Sequence, residues 1–381
     1  MSITEWLLSP ECRRLSFEHL VETLAQKLLS EHIPLWRIST SLRTSHPEVF
    51  VKNMVWKRGE SVEVFLRLRE LVTSPDYTQS PVPVLYNHEA SEIALDLRHT
   101  ENQPYQTCID LAAEGGTGYC ILALDYSTGE RAFISFATDH VEGFTPAHLQ
   151  QLRALVPVLS LLNELAARRF ATECLLDVYL GPQAARKVLA GNFMRGQSET
   201  LRAAIWFSDM RGFTALSGQV SPERLVEILD LYFDTLVQPI YAHGGEVLKF
   251  IGDAVLAIFP VEDTARQSCL NALLAAQDAL QAVTKTELPE TCLEVGIGLH
   301  IGEITFGNVG AAQRLDFTTI GAKVNEASRI EGLCKTLNTP LLMSKDFMDS
   351  CNVEGVSLGS HPLKGVTDPM EVFTIHLSHA V

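Results

Sequence analysis

Asp209 and Asp253 are the residues of this chain whose type and setting best suit the binding of a metal ion. Asp209 ends a short, mostly apolar run of strand length, Leu201 to Phe207 followed by Ser208. Asp253 stands in the two-residue link Gly252-Asp253, of hairpin type, between the strand-like segments Glu246 to Ile251 and Ala254 to Phe259. Two carboxylates at adjacent strand ends supply hard oxygen ligands, with no His or Cys cluster around them. That donor set suits Mg²⁺ or Mn²⁺ beside phosphate oxygens and argues against zinc. Taken singly, an Asp in either place is more often a turn or cap residue than a ligand.

Three other side chains stand out. Lys249 shares a strand face with Val247 and Ile251, where an apolar residue would sit more comfortably, so it calls for a partner unless it snorkels at a sheet edge. Asn325 and Arg329 lie four apart in Val324-Asn325-Glu326-Ala327-Ser328-Arg329, which places both on one helical face. The plainer account is an exposed polar face with Arg329 paired to Glu326 or Glu331. Arg211 either assists phosphates or packs over the strand end.

The strings FSDMRGFTALS, GGEVLKFIGDAVLAIF, VGIGLHIGEITFGNVG and FTTIGAKVNEASRIE, in this order, resemble the class III nucleotidyl cyclase catalytic domain over Leu201 to Leu377. The resemblance implies that Asp209, Asp253 and the backbone carbonyl of Met210 hold two Mg²⁺ or Mn²⁺ ions, one of which activates the ribose 3′-hydroxyl while the other neutralises the phosphates. It implies that Lys249 and Thr318, three residues before Gly321, read the purine. A Lys with an Asp or Thr there is the adenine-selecting combination, whereas guanine-selecting members typically use Glu and Cys, so the substrate implied is ATP and the product cyclic AMP. Thr in this place marks a subgroup for which bicarbonate is the expected effector. Asn325 would orient the ribose, and Arg329 would offset charge developing at the phosphorus. Lys364 resembles the family's triphosphate-contacting lysine, and backbone amides at Phe213 and Thr214 would cradle phosphate. In such enzymes the metal aspartates come from one subunit and Lys249, Thr318, Asn325 and Arg329 from the other, which implies a homodimer with active sites at the subunit interface.

The elements that must position these groups read as α+β. From residue 201 the order is βαββαβ with additions, a ferredoxin-like core. Ser221 is a good N-cap with Pro222 at the first helical position, and Leu225, Ile228, Leu229, Tyr232 and Leu236 then recur at helical spacing before Gly244-Gly245. Pro239 should kink that helix in its last turn. Helices are also expected from Asp263 to about Val283 and over Ala322 to Leu337, and strands from Leu293 through Gly310, ending at Ile320, and around Val372 to Ile375.

Residues 1–170 read as a sensor unit, an antiparallel sheet flanked by helices, with strands at Val51 to Lys57, Ser61 to Leu68, Gly118 to Ala123 and Arg131 to Phe136. Its order of elements resembles small-molecule-binding GAF-type domains, which implies an unknown small-molecule ligand. A Leu-rich helix between Pro146 and Arg169 and a second from Glu173 to Leu189, interrupted at Gly181-Pro182, lead through a helical linker over 171–200.

Composition sets the outer limits. The 381 residues are 46% hydrophobic and 20% charged, as in a packed globular protein. A formal charge of -16 argues against general nucleic-acid binding, which depends on Lys and Arg neutralising phosphates. No apolar run reaches the roughly 20 residues of a membrane span, and the N-terminus lacks a secretory pattern, so a cytoplasmic location is expected. The 8 cysteines are scattered without a C-x-x-C pair and read as reduced, buried thiols. Gly244 to Leu248 only superficially matches the GG(D/E)EF string of diguanylate cyclases. Two further readings compete with ATP cyclisation: a guanylate cyclase, against which Lys249 and Thr318 speak, and a catalytically silent ligand-sensing regulator, which loss of a metal Asp or of Arg329 would have suggested.

Overall fold

Ser16 opens the helix Phe17–Ser30 by accepting from the His19 amide, and Leu20, Leu24 and Leu28 recur along its buried face. This computed structural model describes residues 1–44, 46–99, 101, 103–286, 288 and 293–375. They divide into two units, Met1–Val178 and Tyr179–Val381.

The first unit is built on an antiparallel sheet of six strands, β1 (Arg37–Arg43), β2 (Val49–Lys57), β3 (Glu63–Leu68), β4 (Glu92–Asp96), β5 (Gly118–Asp125) and β6 (Arg131–Thr138), in the order β3-β2-β1-β6-β5-β4. Period-two alternation separates its faces. Cys120, Leu122, Leu124, Ile134 and Phe136 join the core with the helix Phe17–Ser30 and with Leu152, Leu155 and Leu159. Tyr119, Ile121, Ala123 and Phe133 face a second core with Leu85, Cys108 and Leu111. The four strands read from the sequence are present. β1 and β4 were not legible in it, and the two helices read around Arg169 to Glu173 are one unbroken helix, Pro146–Leu180, which runs through Pro157. The break at Gly181 is real: its φ is 83°, and the helix Pro182–Leu189 starts after it.

The second unit contains an eight-stranded sheet: β7 (Ser198–Met210), β8 (Glu246–Ile251), β9 (Ala254–Pro260), β10 (Val295–Ala311), β11 (Arg314–Ile320), β12 (Leu341–Ser344), β13 (Val356–His361) and β14 (Met370–Thr374). The run β10-β7-β9-β8 is antiparallel throughout, and with the helices Pro222–Ala242 and Ala265–Lys285 it forms the βαββαβ core. Ala204 and Trp206 of β7 pack against those two helices, while Ala203 and Ile205 pack on the other face with Val324 and Ala327 of the helix Ala322–Thr336. Ser221 caps the Pro222–Ala242 helix through the Arg224 amide, and that helix continues through Pro239 to Ala242. Close approach of the Ala322–Thr336 helix depends on Gly298, where a Cβ would lie 2.5 Å from the Glu331 nitrogen and 2.7 Å from the Ala327 oxygen.

The seven described cysteines are free, and all but Cys174 are buried. Cys292, and Leu377 at the end of the motif-bearing stretch, lie outside the described residues.

Candidate active site

β7 delivers Asp209 to one end of the sheet, paired in register with Gly296 of β10, and the preceding Ser208 faces Val255 of β9. Ile251 and Ala254 close the β8–β9 hairpin, leaving Gly252 and Asp253 as its tip. Gly252 has φ 66°, a conformation that carries no Cβ penalty in glycine. The two carboxyl groups meet. Burial, then a hydrogen bond and the negative charge of Asp253, push Asp209 up to about 6, while the Met210 amide, donating to Asp209, acts in the opposite direction.

Among the described residues no group of three or more His, Cys, Asp or Glu side chains converges as a metal cage. Two carboxylates with a neighbouring backbone carbonyl, Met210, therefore form an incomplete donor set. It fits a Mg²⁺-like ion, which takes one or two carboxylates and completes its octahedron with water and substrate phosphate oxygens.

A third acid stands close behind. The Glu331 carboxylate overlies Gly296, where a Cβ would come within 2.5 Å of its Oε1 and 3.5 Å of Arg211 Nη2. Burial first, then the charge of Asp209, push Glu331 up to about 7, against the pull of Arg211. Arg211 donates to the Thr339 carbonyl at 3.2 Å, so it packs over the strand end. Tyr232, fully buried on the Pro222–Ala242 helix, has its phenol raised above the ordinary value by burial and then by the charges of Asp209, Asp253 and Glu331.

Lys249 forms an ion pair with Asp316 of β11. The pairing of β8 with β9 shifts register between Val247 and Lys249, and this irregularity breaks the simple alternation read from the sequence: Val247 is buried, whereas Ile251 is 49% exposed. Asp316 and Thr318 lie two apart on β11 and so share a face, which brings Thr318 to the strand face that Lys249 reaches. Asp316 was not singled out from the sequence, although its place two residues before Thr318 was a usable signal.

Asn325 and Arg329 are both exposed on the Ala322–Thr336 helix. Glu326 is taken by Lys323 at 2.8 Å and by His300 at 3.0 Å. Among the described residues Arg329 has no ion pair, so the plainer account, with Glu326 or Glu331 as its partner, does not hold. Phe213 and Thr214 begin the short helix Phe213–Ser217 after Gly212, whose φ is 76°. The first intrahelical bonds come from Ala215 and Leu216, so the Phe213 and Thr214 amides precede the hydrogen-bonded turn. Lys364 is exposed in the β13–β14 loop, anchored by Leu363, which packs with Ile330 and Cys334 of the helix that carries Arg329.

Residues 197–377 match the model of the adenylate and guanylate cyclase catalytic domain. This stretch, just under half of the chain, is similar to the catalytic domain of that family. The chain is similar to adenylate cyclase 1 of Rhizobium meliloti (strain 1021), 32% identical over 209 residues that cover 52% of this chain and 31% of that protein. It is also similar to an adenylate cyclase of Anabaena cylindrica, 36% identical over 165 residues that cover 41% of this chain and 32% of that one. The match thus spans about a third of the length of these relatives. A solved bacterial light-regulated adenylyl cyclase shares the fold, with a TM-score of 0.51 and 23% identity over 68% of this chain and 86% of that one. No helix among the described residues is long and apolar enough to cross a membrane.

Proposed function

We propose that the cyclase domain converts ATP into 3′,5′-cyclic AMP and pyrophosphate. The observation that carries this reading is the meeting of Asp209 with Asp253 at one sheet end, on the same unit as a lysine that reaches the face of Thr318. A divalent ion bound by Asp209, Asp253 and the Met210 carbonyl would supply Lewis acidity toward the 3′-hydroxyl and the phosphates. The chain's own groups do the rest. Lys249 donates to the adenine ring and Asp316 holds its ammonium in place, with Thr318 beside it. Asn325 orients the ribose, and Arg329, with no carboxylate partner among the described residues, opposes the charge that builds at the α-phosphorus as its bond to pyrophosphate breaks. The Phe213 and Thr214 amides and Lys364 are assigned to the phosphates.

The active unit proposed is a homodimer in which Asp209 and Asp253 of one protomer face Lys249, Thr318, Asn325 and Arg329 of the other. Phe250 and Ile251 beside the Asp253 turn are 48% and 49% exposed, and Ile320 at the end of β11 is 51% exposed, which fits surfaces that a second copy would cover. The ATP assignment is tested by comparing kcat/KM for ATP and GTP: ATP preferred supports it, and cyclic GMP as the major product overturns it. Bicarbonate, the effector expected from Thr318, should raise turnover at constant pH, and unchanged turnover would remove it.

The first unit is read as a GAF-like sensor of a small molecule. Support comes from a cavity of about 240 Å³ walled by Phe50, Tyr77, Tyr86 and Phe133, with Asn53 and Arg67 among its polar lining. A ligand there should shift the melting temperature of wild-type protein, and Phe133→Ala should abolish that shift while the first unit remains folded.

A further inference from the structure

Tyr232 poses a problem that packing alone does not solve. It is 0% exposed, yet its hydroxyl has no hydrogen-bond partner among the described residues. Leaving such a group unpaired is costly, and phenylalanine would fill the same space without that cost.

Its position explains why an oxygen is useful there. Phe233, the next residue on the helix, packs at a tilt with its ring centroid 4.4 Å from that of Phe250, three residues before Asp253, so this helical turn lies alongside the hairpin that carries Asp253. Tyr232 also shares a core with Met210, the residue after Asp209. Asp209, one residue before Met210, and Asp253, three after Phe250, are the acids that this packing brings to the helix carrying Tyr232, and a carboxylate accepts when ionised. At neutral pH a phenol keeps its proton and is therefore a donor. In this structure the Asp209 and Asp253 carboxyls face each other. Once they turn their oxygens toward a cation, an acceptor is released for the phenol.

We propose that Tyr232 is a positioning residue of the acid pair, its buried hydroxyl being the donor that orients these carboxylates when they hold a divalent ion. This rests on the reading of Asp209 and Asp253 as metal ligands. Groups behind a metal's ligands fix ligand orientation, and their loss typically costs 10–100-fold in affinity.

The inference gives two readouts of opposite sign for one conservative substitution. In Tyr232→Phe full-length protein, Mn²⁺ affinity measured without nucleotide by electron paramagnetic resonance should fall by about tenfold or more. In EDTA the same variant should melt at the wild-type temperature or above, because the deleted hydroxyl had no partner. Wild-type Mn²⁺ affinity in Tyr232→Phe overturns the inference, as does a lowered melting temperature in EDTA, which would mark an ordinary structural hydrogen bond. Asp253→Asn separates the two levels of the argument: wild-type protein that binds no more Mn²⁺ than Asp253→Asn removes the metal reading itself, and the role of Tyr232 with it.

Discussion

The carboxyl of Asp209 faces that of Asp253, although one ends strand β7 and the other tips the β8–β9 hairpin. Burial first, then the charge of its neighbour, makes ionisation of Asp209 costly, so it keeps its proton to higher pH than a free carboxyl does. A divalent cation would offset the same cost and displace that proton.

This arrangement should destabilise the fold in a chelator near neutral pH. Asp209 is raised from about 3.9 in an unfolded chain to about 6 in the fold. It therefore favours folding fully below pH ~4, and that contribution is lost as pH rises through ~6. Asp209→Asn should thus be more stable than wild type in EDTA at pH 7, by no more than about 3 kcal/mol, with the gap closing toward pH 4. Chemical denaturation of both proteins across that range checks it, and a gap that widens on acidification contradicts it.

Metal binding should show the complementary dependence. Protons compete for Asp209, so Mn²⁺ affinity should fall as pH drops below about 6. Titrations at pH 5 and pH 7.5 read this directly, and equal affinity at both would show that the pair is not the ligand.

The ion pair of Lys249 with Asp316 is exposed and contributes little to stability, about 0–1 kcal/mol. Its importance lies in where it holds the ammonium. Asp316→Asn should leave the melting temperature nearly unchanged while raising the KM for ATP, and Lys249→Ala should lower kcat/KM for ATP more severely. Lys249→Glu combined with Thr318→Cys should move the ratio of rates toward GTP. A lowered melting temperature with unaltered KM in Asp316→Asn would assign the pair to structure alone.

Helix placement over the sheet can be tested without touching a candidate catalytic group. A methyl at Gly298 would strike the backbone of the Ala322–Thr336 helix, whereas one at Gly332 meets nothing within 4 Å. Gly298→Ala should cost about 1–3 kcal/mol and reduce turnover by displacing Asn325 and Arg329. Gly332→Ala, inside the same helix, should be neutral or stabilising by up to about 1 kcal/mol. Thermal melts of the two variants decide the matter, and equal losses would refute the contact.

Sharing of sites between protomers predicts complementation. Asp253→Ala and Arg329→Ala should each be inactive, while co-expression should restore about a quarter of wild-type activity, since random pairing gives half heterodimers, each with one intact site. No recovery in purified heterodimer would place all site residues within one chain.

Sequence reading went furthest where local chemistry dictates local structure. Ser221-Pro222 opens its helix as a cap and first-turn proline should, and the Gly252-Asp253 link makes its hairpin. It failed where burial and polarity part company. β1, Arg-Ile-Ser-Thr-Ser-Leu-Arg, does not look like a core strand, yet Ser39, Thr40 and Ser41 are buried, with Thr40 donating to the Phe133 carbonyl at 2.7 Å and Ser41 bonded to Tyr86 at 2.9 Å. Such partners lie 93 and 45 residues away, beyond any local pattern. The same limit hid the surroundings of Glu331 and Tyr232. Tyr232 read as one more apolar position on an amphipathic helix, and only the folded chain shows its hydroxyl buried with no hydrogen-bond partner among the described residues.

The most direct test is a crystal of the dimer with Mn²⁺ and a non-cyclisable ATP analogue, examined by anomalous scattering. Two Mn²⁺ peaks should lie within coordination distance of Asp209 and Asp253 of one protomer, with Arg329 of the other protomer across the analogue's phosphates. Peaks elsewhere, or both aspartates turned to open solvent away from any subunit contact, would contradict the account.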